Sequence, residues 1–377
     1  MKKKRKIAWW NGLYWGLFAL LLLAARSIGR RYLMLSGAEP SGLLNLLGLL
    51  GFALAYFLQM FLECAGRLLF GLLSGYQFIL FRVFSFVWVS DGKKVRLMRD
   101  PTVGGAFVCT MAPPVSENGA MPVALYWLGG VLTQMITASA SMLGAWLFRG
   151  IPMLSTWLLF FAAAGFYFVL INGIPMRDGI FSNEGYSAYY LHKNSDARRA
   201  FWILTERVRL MAQGVRKKDM PADWFPMPTM EQMRYKMEAQ VTLGICDYLM
   251  DQHRFGEMER LLQKLWEMDC EPVRLDWLRL YSDQIYCELM GQNRETVLKP
   301  FLERYPIAEE SDRKTPAIVL RTKYAYALLH EKDVAAAEKQ ARALEKLAKN
   351  YPYTGEIARE RELMALAMQR AKERGVL

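Results

Sequence analysis

The sequence is poor in the residues that most often hold metal ions or form cross-links. It has three histidines, His192, His253 and His330, and all three follow the long apolar segments of the first half of the chain. The five cysteines are odd in number, widely spaced and without a C-x-x-C pair. We therefore expect no histidine pair on a metal within the apolar region, no disulfide framework, and a reducing compartment for the soluble part of the chain.

Acidic residues are fewer than basic ones, 36 against 48, which gives a net charge of +12. A positive charge suits a nucleic acid or an anionic membrane surface. The sequence lacks a basic stripe with interleaved aromatic residues, an RNA-binding motif and a zinc-finger spacing. We therefore expect no nucleic-acid partner, and we interpret the basic residues as loops that flank membrane spans.

Hydrophobic residues make up 53% of the chain but are concentrated in residues 7–175, whereas the chain after about residue 190 is charged and helix-forming. The apolar segments predict an integral membrane protein with four transmembrane helices in the lipid bilayer, at residues 7–25, 42–73, 121–148 and 154–171. A cleaved signal peptide resembles the first segment, but Ala24–Ala25 leads into Arg26 without an A-x-A site, so we expect an uncleaved helix. Residues 26–41 are predicted to form a short external loop.

Lysine and arginine are distributed unequally around these four segments. Five precede the first segment and five lie between the second and third, whereas the two external loops carry three and one. Because cytoplasmic loops carry the excess of positive charge, this count predicts a multi-pass cell-membrane protein with both termini in the cytoplasm.

A different pattern follows the second apolar segment. Strand-forming residues alternate from Tyr76 to Val89, and Asp91–Gly92 favours a hairpin turn into Lys94–Met98. We expect a small β-hairpin associated with the membrane domain, followed by a loop that begins near Gly104.

Two ionisable residues, Glu63 and Arg67, lie within the second apolar segment, where charges are costly and commonly functional. Positions 63 and 67 lie one helical turn apart on one face, whereas Cys64 points about 100° away. A glutamate four residues before a basic residue is also the favourable order for an ion pair. These residues predict a site inside the membrane.

Two stretches resemble motifs of the site-2 protease family of intramembrane zinc metalloproteases. The first, E-C-A-G-R-L-L-F-G-L-L-S-G-Y from Glu63 to Tyr76, resembles the first catalytic helix, which carries H-E-x-G-H. The second, N-G-I-P-M-R-D-G, is similar to the family's N-x-x-P-x-x-D-G through Asn172, Pro175, Asp178 and Gly179. The resemblance implies a four-span protease-like core, in which Asp178 matches the third zinc ligand.

The chain departs from this family at the catalytic positions. Glu63 and Arg67 replace the two histidine ligands, and Cys64 replaces the general-base glutamate. Because arginine stays protonated and cannot bind a cation, the resemblance implies a pseudoprotease without catalytic residues, metal or cofactor. Such a protein would hold a transmembrane partner. The alternative from the enzyme class is an intramembrane zinc metalloprotease with a rearranged site, in which Glu63, Cys64 and Asp178 converge on the metal.

We also expect Arg67 to substitute for the lost metal. A guanidinium can bridge two carboxylates, so Arg67 is predicted to lie between Glu63 and Asp178 and to tie the second helix to the end of the fourth. The competing interpretation is a local Glu63–Arg67 pair with Asp178 facing water. Both interpretations remain open from the sequence.

The composition predicts three regions: a membrane domain at 1–190, an amphipathic segment and linker at 191–230, and a soluble helical domain at 231–377. Three stretches of the last region, beginning near His253, Gly291 and Glu331, each read as a turn, an amphipathic helix and a proline. The separation of Pro272 and Pro306 matches the tetratricopeptide period, although Pro352 breaks it. We expect an α-solenoid, tetratricopeptide-like, that contacts a soluble protein partner.

Overall fold

A computed structural model describes residues 9–37, 42–100, 107–114, 121–304 and 315–376. The chain is mostly helical with a small sheet, and it forms two compact units. The first unit comprises Met1–Phe78 and Pro113–Arg198, and the second comprises Ile79–Ala112 and Arg199–Leu377. The predicted boundary at residue 190 therefore lies too early in the chain, and the strand region belongs to the second unit rather than to the apolar one.

The first unit is built from four long helices and a short one. They are α1 (Trp9–Ser36), α2 (Gly42–Leu73), α3 (Val123–Leu147), α4 (Pro152–Gly173) and α5 (Glu184–Lys193), with the two-residue strands β5 (Arg177–Asp178) and β6 (Phe181–Ser182) between α4 and α5. Among the described residues, three stretches are long and apolar enough to cross a membrane: Leu46–Leu73, Val123–Leu147 and Pro152–Gly173.

The first expected span, residues 7–25, begins outside the described residues, and its remainder lies in α1, which is not among these three stretches. The predicted loop at 26–41 is wrong over residues 26–36, because α1 continues to Ser36. Residues 26–36 contain no proline and no pair of glycines, and the three arginines among them do not end the helix. The helix ends where Gly37 adopts a φ of 62°.

Glycines allow α2 and α3 to pack closely. A Cβ atom added at Gly129 would lie 2.9 Å from the Gly66 carbonyl oxygen, and one added at Gly66 would lie 2.7 Å from the Gly129 carbonyl oxygen. Gln134 of α3 donates to the Gln59 carbonyl of α2 at 3.1 Å. Small residues and side-chain amides are the usual means of joining apolar helices, so these contacts fix the position of α2 next to α3.

The sheet contains four strands in the order β3-β2-β1-β4. They are β1 (Gln77–Val83), β2 (Phe86–Ser90), β3 (Val95–Arg99) and β4 (Phe107–Ala112). The turn at Asp91–Gly92 is as predicted, with a φ of 87° at Gly92. The continuous strand expected from 76 to 89 is instead two strands, because a turn at Phe84, with a φ of 52°, divides it.

Residues 79–112, which include most of the sheet, belong to the second unit. The sheet's buried residues Ile79, Leu80 and Val87 contact Val208 and Ala212 of α6 (Ser195–Ala212). β4 replaces part of the loop expected after Gly104. The short F-V-C-T-M-A run of β4 has an apolar residue at most positions, a pattern that is consistent with a buried strand but does not distinguish it from a buried helical segment.

The rest of the second unit is helical. Its helices are α7 (Lys236–Asp251), α8 (Phe255–Met268), α9 (Glu271–Leu275), α10 (Trp277–Met290), α11 (Glu295–Arg304), α12 (Ala317–Tyr326), α13 (Val334–Ala348) and α14 (Thr354–Glu373). A single apolar core runs through them. The predicted linker contains short 3₁₀ turns, among them Lys217–Asp219 and Ala222–Trp224.

The three similar sequence stretches share one backbone feature. His253, Asn293 and Lys332 each have a φ between 54° and 58°, and a helix begins shortly after each of them, at Phe255, Glu295 and Val334. The three turns recur at nearly equal intervals, both longer than the separation of the two prolines that suggested the tetratricopeptide period. The repeated turn is therefore real, and its period differs from the predicted one.

A buried ionic cluster connects the helices of this unit. Asp247 of α7 accepts from Lys217 at 2.5 Å, from Arg279 at 2.8 Å and from Arg359 at 3.0 Å. Burial opposes the ionisation of Asp247, but the three cations outweigh it and hold the pKa of this carboxyl well below its usual range. One carboxylate therefore joins α7, α10, α14 and the turn at Lys217–Asp219.

Candidate functional site

The candidate site lies in the first unit, around Arg67 of α2. Its Nη2 atom lies 3.7 Å from a carboxylate oxygen of Glu63, one turn earlier on the same helix. The same Nη2 donates a hydrogen bond to Glu184, the first residue of α5. The guanidinium thus lies between two carboxylates from separate segments of the chain, and it joins α2 to α5.

The position of Glu184 follows from the residue before it. Asn183 caps α5, and its side-chain oxygen accepts from the backbone N–H groups of Tyr186 at 2.9 Å and Met176 at 3.0 Å. Its amide nitrogen donates to the carbonyls of Ile171 at 2.7 Å and Ile174 at 2.6 Å. Asn183 therefore fastens the start of α5 to the end of α4 and fixes the direction of the Glu184 side chain.

The end of α4 supplies a further contact. Asn172 donates from its amide to the second carboxylate oxygen of Glu63 at 2.9 Å. Helix α4 ends immediately afterwards, because Pro175 has no N–H and holds Ile174 in an extended conformation with a ψ of 122°. Asn172 is one residue of the second motif, and this contact brings the two motifs together.

Helix α3 covers the cluster from a third side. The Arg67 guanidinium lies 5.3 Å from the centre of the Trp127 ring, within the range of a cation–π interaction. A Cβ atom added at Gly130 would lie 2.7 Å from both the carbonyl oxygen and the Cγ of Glu63, so only glycine allows this approach. The side chains of Arg67, Glu63 and Glu184 are 13%, 16% and 17% exposed. The cluster is thus largely removed from solvent.

Asp178 does not take part in this cluster. It is exposed on β5 and pairs through the backbone with Phe181 across a hairpin in which Gly179 has a φ of 59°. Among the described residues, the carboxylates paired with Arg67 are those of Glu63 and Glu184. The predicted bridge from Glu63 through Arg67 to Asp178 is therefore wrong in its last member. The physical reason is the hairpin, which turns Asp178 outward, so that Glu184, the next acidic residue in the sequence, contacts Arg67 instead.

The alternative ligand set is likewise not assembled. Cys64 is a buried free thiol, and Asp178 is exposed. Within the described part of the chain, Glu63, Cys64 and Asp178 do not form a group that could hold a metal ion. Glu63 is instead engaged by Arg67 and Asn172.

The sequence reasoning missed Glu184 and Trp127. A signal for Glu184 is present in S-N-E-G-Y, because an asparagine followed by a glutamate is typical of a helix N-terminus. A glutamate in the first helical turn is favoured by the helix dipole and is held close to the end of the preceding segment. Trp127 has no comparable signal, since its proximity depends on the glycine-mediated packing of α3 against α2.

The cluster has the chemistry of a fixed structural connection. One permanent cation lies between two carboxylates, a side-chain amide donates to one of these carboxylates, and an aromatic ring contacts the cation. Within the described residues, the buried Nε of Arg67 has no hydrogen-bond partner. No protein-family model, curated protein or solved structure matches this chain.

Proposed function

We propose that the chain is a membrane-embedded, non-catalytic homologue of the site-2 proteases. In this proposal it holds a transmembrane protein partner and contacts a soluble protein partner through its second unit. The motif residues Glu63, Cys64, Arg67, Asn172, Pro175, Asp178 and Gly179 carry the likeness.

One observation carries the pseudoprotease proposal: the Arg67 guanidinium between Glu63 and Glu184. A zinc protease needs neutral or anionic ligands around one cation and a carboxylate that takes a proton from water. Here a permanently charged side chain occupies the centre of the polar cluster, and Glu63 is held by both Arg67 and Asn172. Metal binding would require displacement of Arg67 from both carboxylates. The arrangement favours a protein that keeps the connection between helices without the hydrolytic chemistry.

The exposed surface of the first unit supports a location in the lipid bilayer. Large apolar side chains are more than half exposed on each of its candidate spans, including Leu49 of α2, Ile136 of α3 and Met153 of α4. In α2, only 22% of the most apolar 18-residue stretch is buried within the chain. An apolar surface of this extent is stable when lipid covers it. We include α1 as a fourth span and place both termini in the cytoplasm, from the distribution of lysine and arginine.

The second unit supports a partner-binding role as an α-solenoid, tetratricopeptide-like domain. Its long helices pack against helices one or two places along the chain, as α8 does on α10 and α12 on α13. The left-handed turns at His253, Asn293 and Lys332 introduce successive helices in the same way. Stacked helical pairs present extended surfaces, which suits recognition of another protein.

The test is recovery of the full-length chain, with an affinity tag, from the membranes of its own host in mild detergent. We expect a transmembrane protein to co-purify uncleaved, with the same mass as in cells that lack the chain. Deletion of residues 231–377 should release a soluble partner and retain the transmembrane one. A partner that is shortened only when the chain is present, with the shortening lost in Glu63→Gln, would support the protease alternative instead.

A further inference from the structure

A cleft of about 500 Å³ lies between α1, α2 and α4 of the first unit, away from the Arg67 cluster. Its buried floor includes Phe52 of α2 and Phe160 of α4, whose rings meet edge to face with centroids 6.0 Å apart. Trp157 lines one side, with its ring packed over Gly51. A volume of this size is typical of sites for small organic ligands.

Two glycines open the cleft. Gly29 of α1 and Gly48 of α2 both line it, and a Cβ atom added at either position would meet no other atom within 4 Å. Glycine is unfavourable in the middle of a helix by roughly 0.5–1 kcal/mol relative to alanine. No close contact between helices requires glycine at either position. In this structure the absence of their side chains leaves space in the cleft.

Two cations line the same cleft. Arg26 and Arg30 lie one turn apart on α1, and both contribute to the wall. Within the described part of the chain, neither forms an ion pair, and the cleft lining contains no aspartate or glutamate. Like charges four residues apart on a helix repel each other. The cleft therefore combines an apolar floor with two guanidinium groups that have no acidic partner among the described residues and that an anion would stabilise.

We propose that this cleft binds one anionic phospholipid. The phosphodiester accepts hydrogen bonds from Arg26 and Arg30, and an acyl chain lies along Phe52, Trp157 and Phe160. Guanidinium groups favour phosphate through paired hydrogen bonds. A zwitterionic lipid carries its own cation beside the phosphate, so a net-negative headgroup is preferred. This proposal rests on the membrane location of the first unit and is independent of the protease likeness and of the protein partners.

The experiment uses the full chain in nanodiscs that contain phosphatidylcholine and phosphatidylglycerol. After extraction into detergent, native mass spectrometry measures the lipid that remains bound. We expect one phosphatidylglycerol per chain, and a loss of at least about tenfold in its occupancy in the Arg26→Gln/Arg30→Gln variant, since two charge-assisted contacts are removed. Inorganic phosphate should not displace the lipid, because it lacks the acyl chain.

Arg31→Gln is the matched control, because Arg31 is an exposed residue of the same helix that does not line the cleft. It removes the same charge and should leave the occupancy unchanged. A second pair of variants tests the apolar part: Gly48→Leu fills the cleft and should expel the lipid, whereas Gly16→Leu, at another helical glycine with open space around it, should not.

Equal retention of both lipids, or an equal loss in Arg31→Gln, would overturn the proposal, because the positive charge near the membrane surface would then suffice. Displacement by inorganic phosphate would identify a simple anion site and would also overturn it. If the chain does not enter nanodiscs at all, the proposed membrane location fails, and this result is distinct from failure of lipid selectivity.

Discussion

The connection made by Arg67 can be tested by a double-mutant cycle with Glu184. Arg67→Met removes the cation and leaves two largely buried carboxylates, which are 16% and 17% exposed. Breaking a buried ion pair by removing one partner costs roughly 3–5 kcal/mol. Glu184→Gln removes one carboxylate but leaves Arg67 beside Glu63, so we expect a smaller cost of about 1.5–3 kcal/mol, typical of a hydrogen bond to a charged group.

The double variant should cost less than the sum of the single variants. Arg67→Met/Glu184→Gln leaves one buried carboxylate instead of two, and that carboxylate keeps its bond to Asn172. We therefore expect an interaction free energy of roughly 1–3 kcal/mol, the range for residues in direct contact. The measurement is the free energy of unfolding in mixed micelles, with a denaturing detergent as the titrant, followed by the fluorescence of the tryptophans.

Asp178→Asn provides the matched control for this cycle. Asp178 is the motif carboxylate, but it is exposed and is not paired with Arg67. Its substitution should change the free energy of unfolding by less than about 0.5 kcal/mol, and it should add to Arg67→Met within the same amount. An interaction near zero with Glu184, or a larger one with Asp178, would refute the geometry of the cluster.

Three further changes should have measurable effects. Asp247→Asn should destabilise the second unit by roughly 1.5–3 kcal/mol at neutral pH, because Lys217, Arg279 and Arg359 lose the carboxylate they share, although each keeps a second partner in Glu356, Asp276 and Glu360 respectively. Because the folded-state pKa of Asp247 is lowered, its contribution is complete above the unfolded pKa of about 3.9. Thermal unfolding should show that the difference in stability between wild type and variant narrows as the pH falls below about 4. Gly130→Ala should lower the free energy of unfolding in detergent by about 1–3 kcal/mol, since its Cβ would overlap Glu63, whereas Gly48→Ala, in open space, should have no effect or raise it by up to about 1 kcal/mol. A reporter fused after Leu377 should be active only in the cytoplasm, and activity only outside the cell would contradict the proposed topology.

The sequence predicts those parts of the fold that depend on local composition. The apolar runs of α2, α3 and α4 predict helices within a few residues of their observed ends, since a long apolar run with few charges is typical of a membrane-spanning helix. The turn at Asp91–Gly92 is likewise local, because a glycine at that position adopts its positive φ without strain. In contrast, the turn at Phe84 was not predictable, since an aromatic residue with positive φ is held there by the surrounding sheet and not by its own preference.

The sequence predicts the two central residues of the candidate site but not the residues that surround them. Glu63 and Arg67 are identified by their charge in an apolar helix, and their spacing alone brings them together. The second carboxylate depends on a two-stranded hairpin that turns Asp178 away and on the cap at Asn183 that directs Glu184 inward. The contact of Glu184 with Arg67 joins residues 117 positions apart, and the helix-start signal in S-N-E-G-Y does not indicate that α5 lies against α2.

The period of the helical repeat was likewise not predictable from local sequence patterns. The separation of Pro272 and Pro306 suggests the tetratricopeptide period, but the turns at His253, Asn293 and Lys332 recur at longer intervals. Pro272 lies in the first turn of α9, where proline is tolerated, and therefore does not mark the end of a repeat.

The most direct test of the central claim is the zinc content of the purified chain, measured by elemental analysis after exposure to zinc and removal of the excess. The claim that Arg67 has replaced the metal predicts no stoichiometric zinc in the wild-type chain and no cleavage of transmembrane substrates. It also predicts no change in zinc content in Glu63→Ala or Asp178→Ala. About one zinc ion per chain, lost in either variant, would contradict the claim.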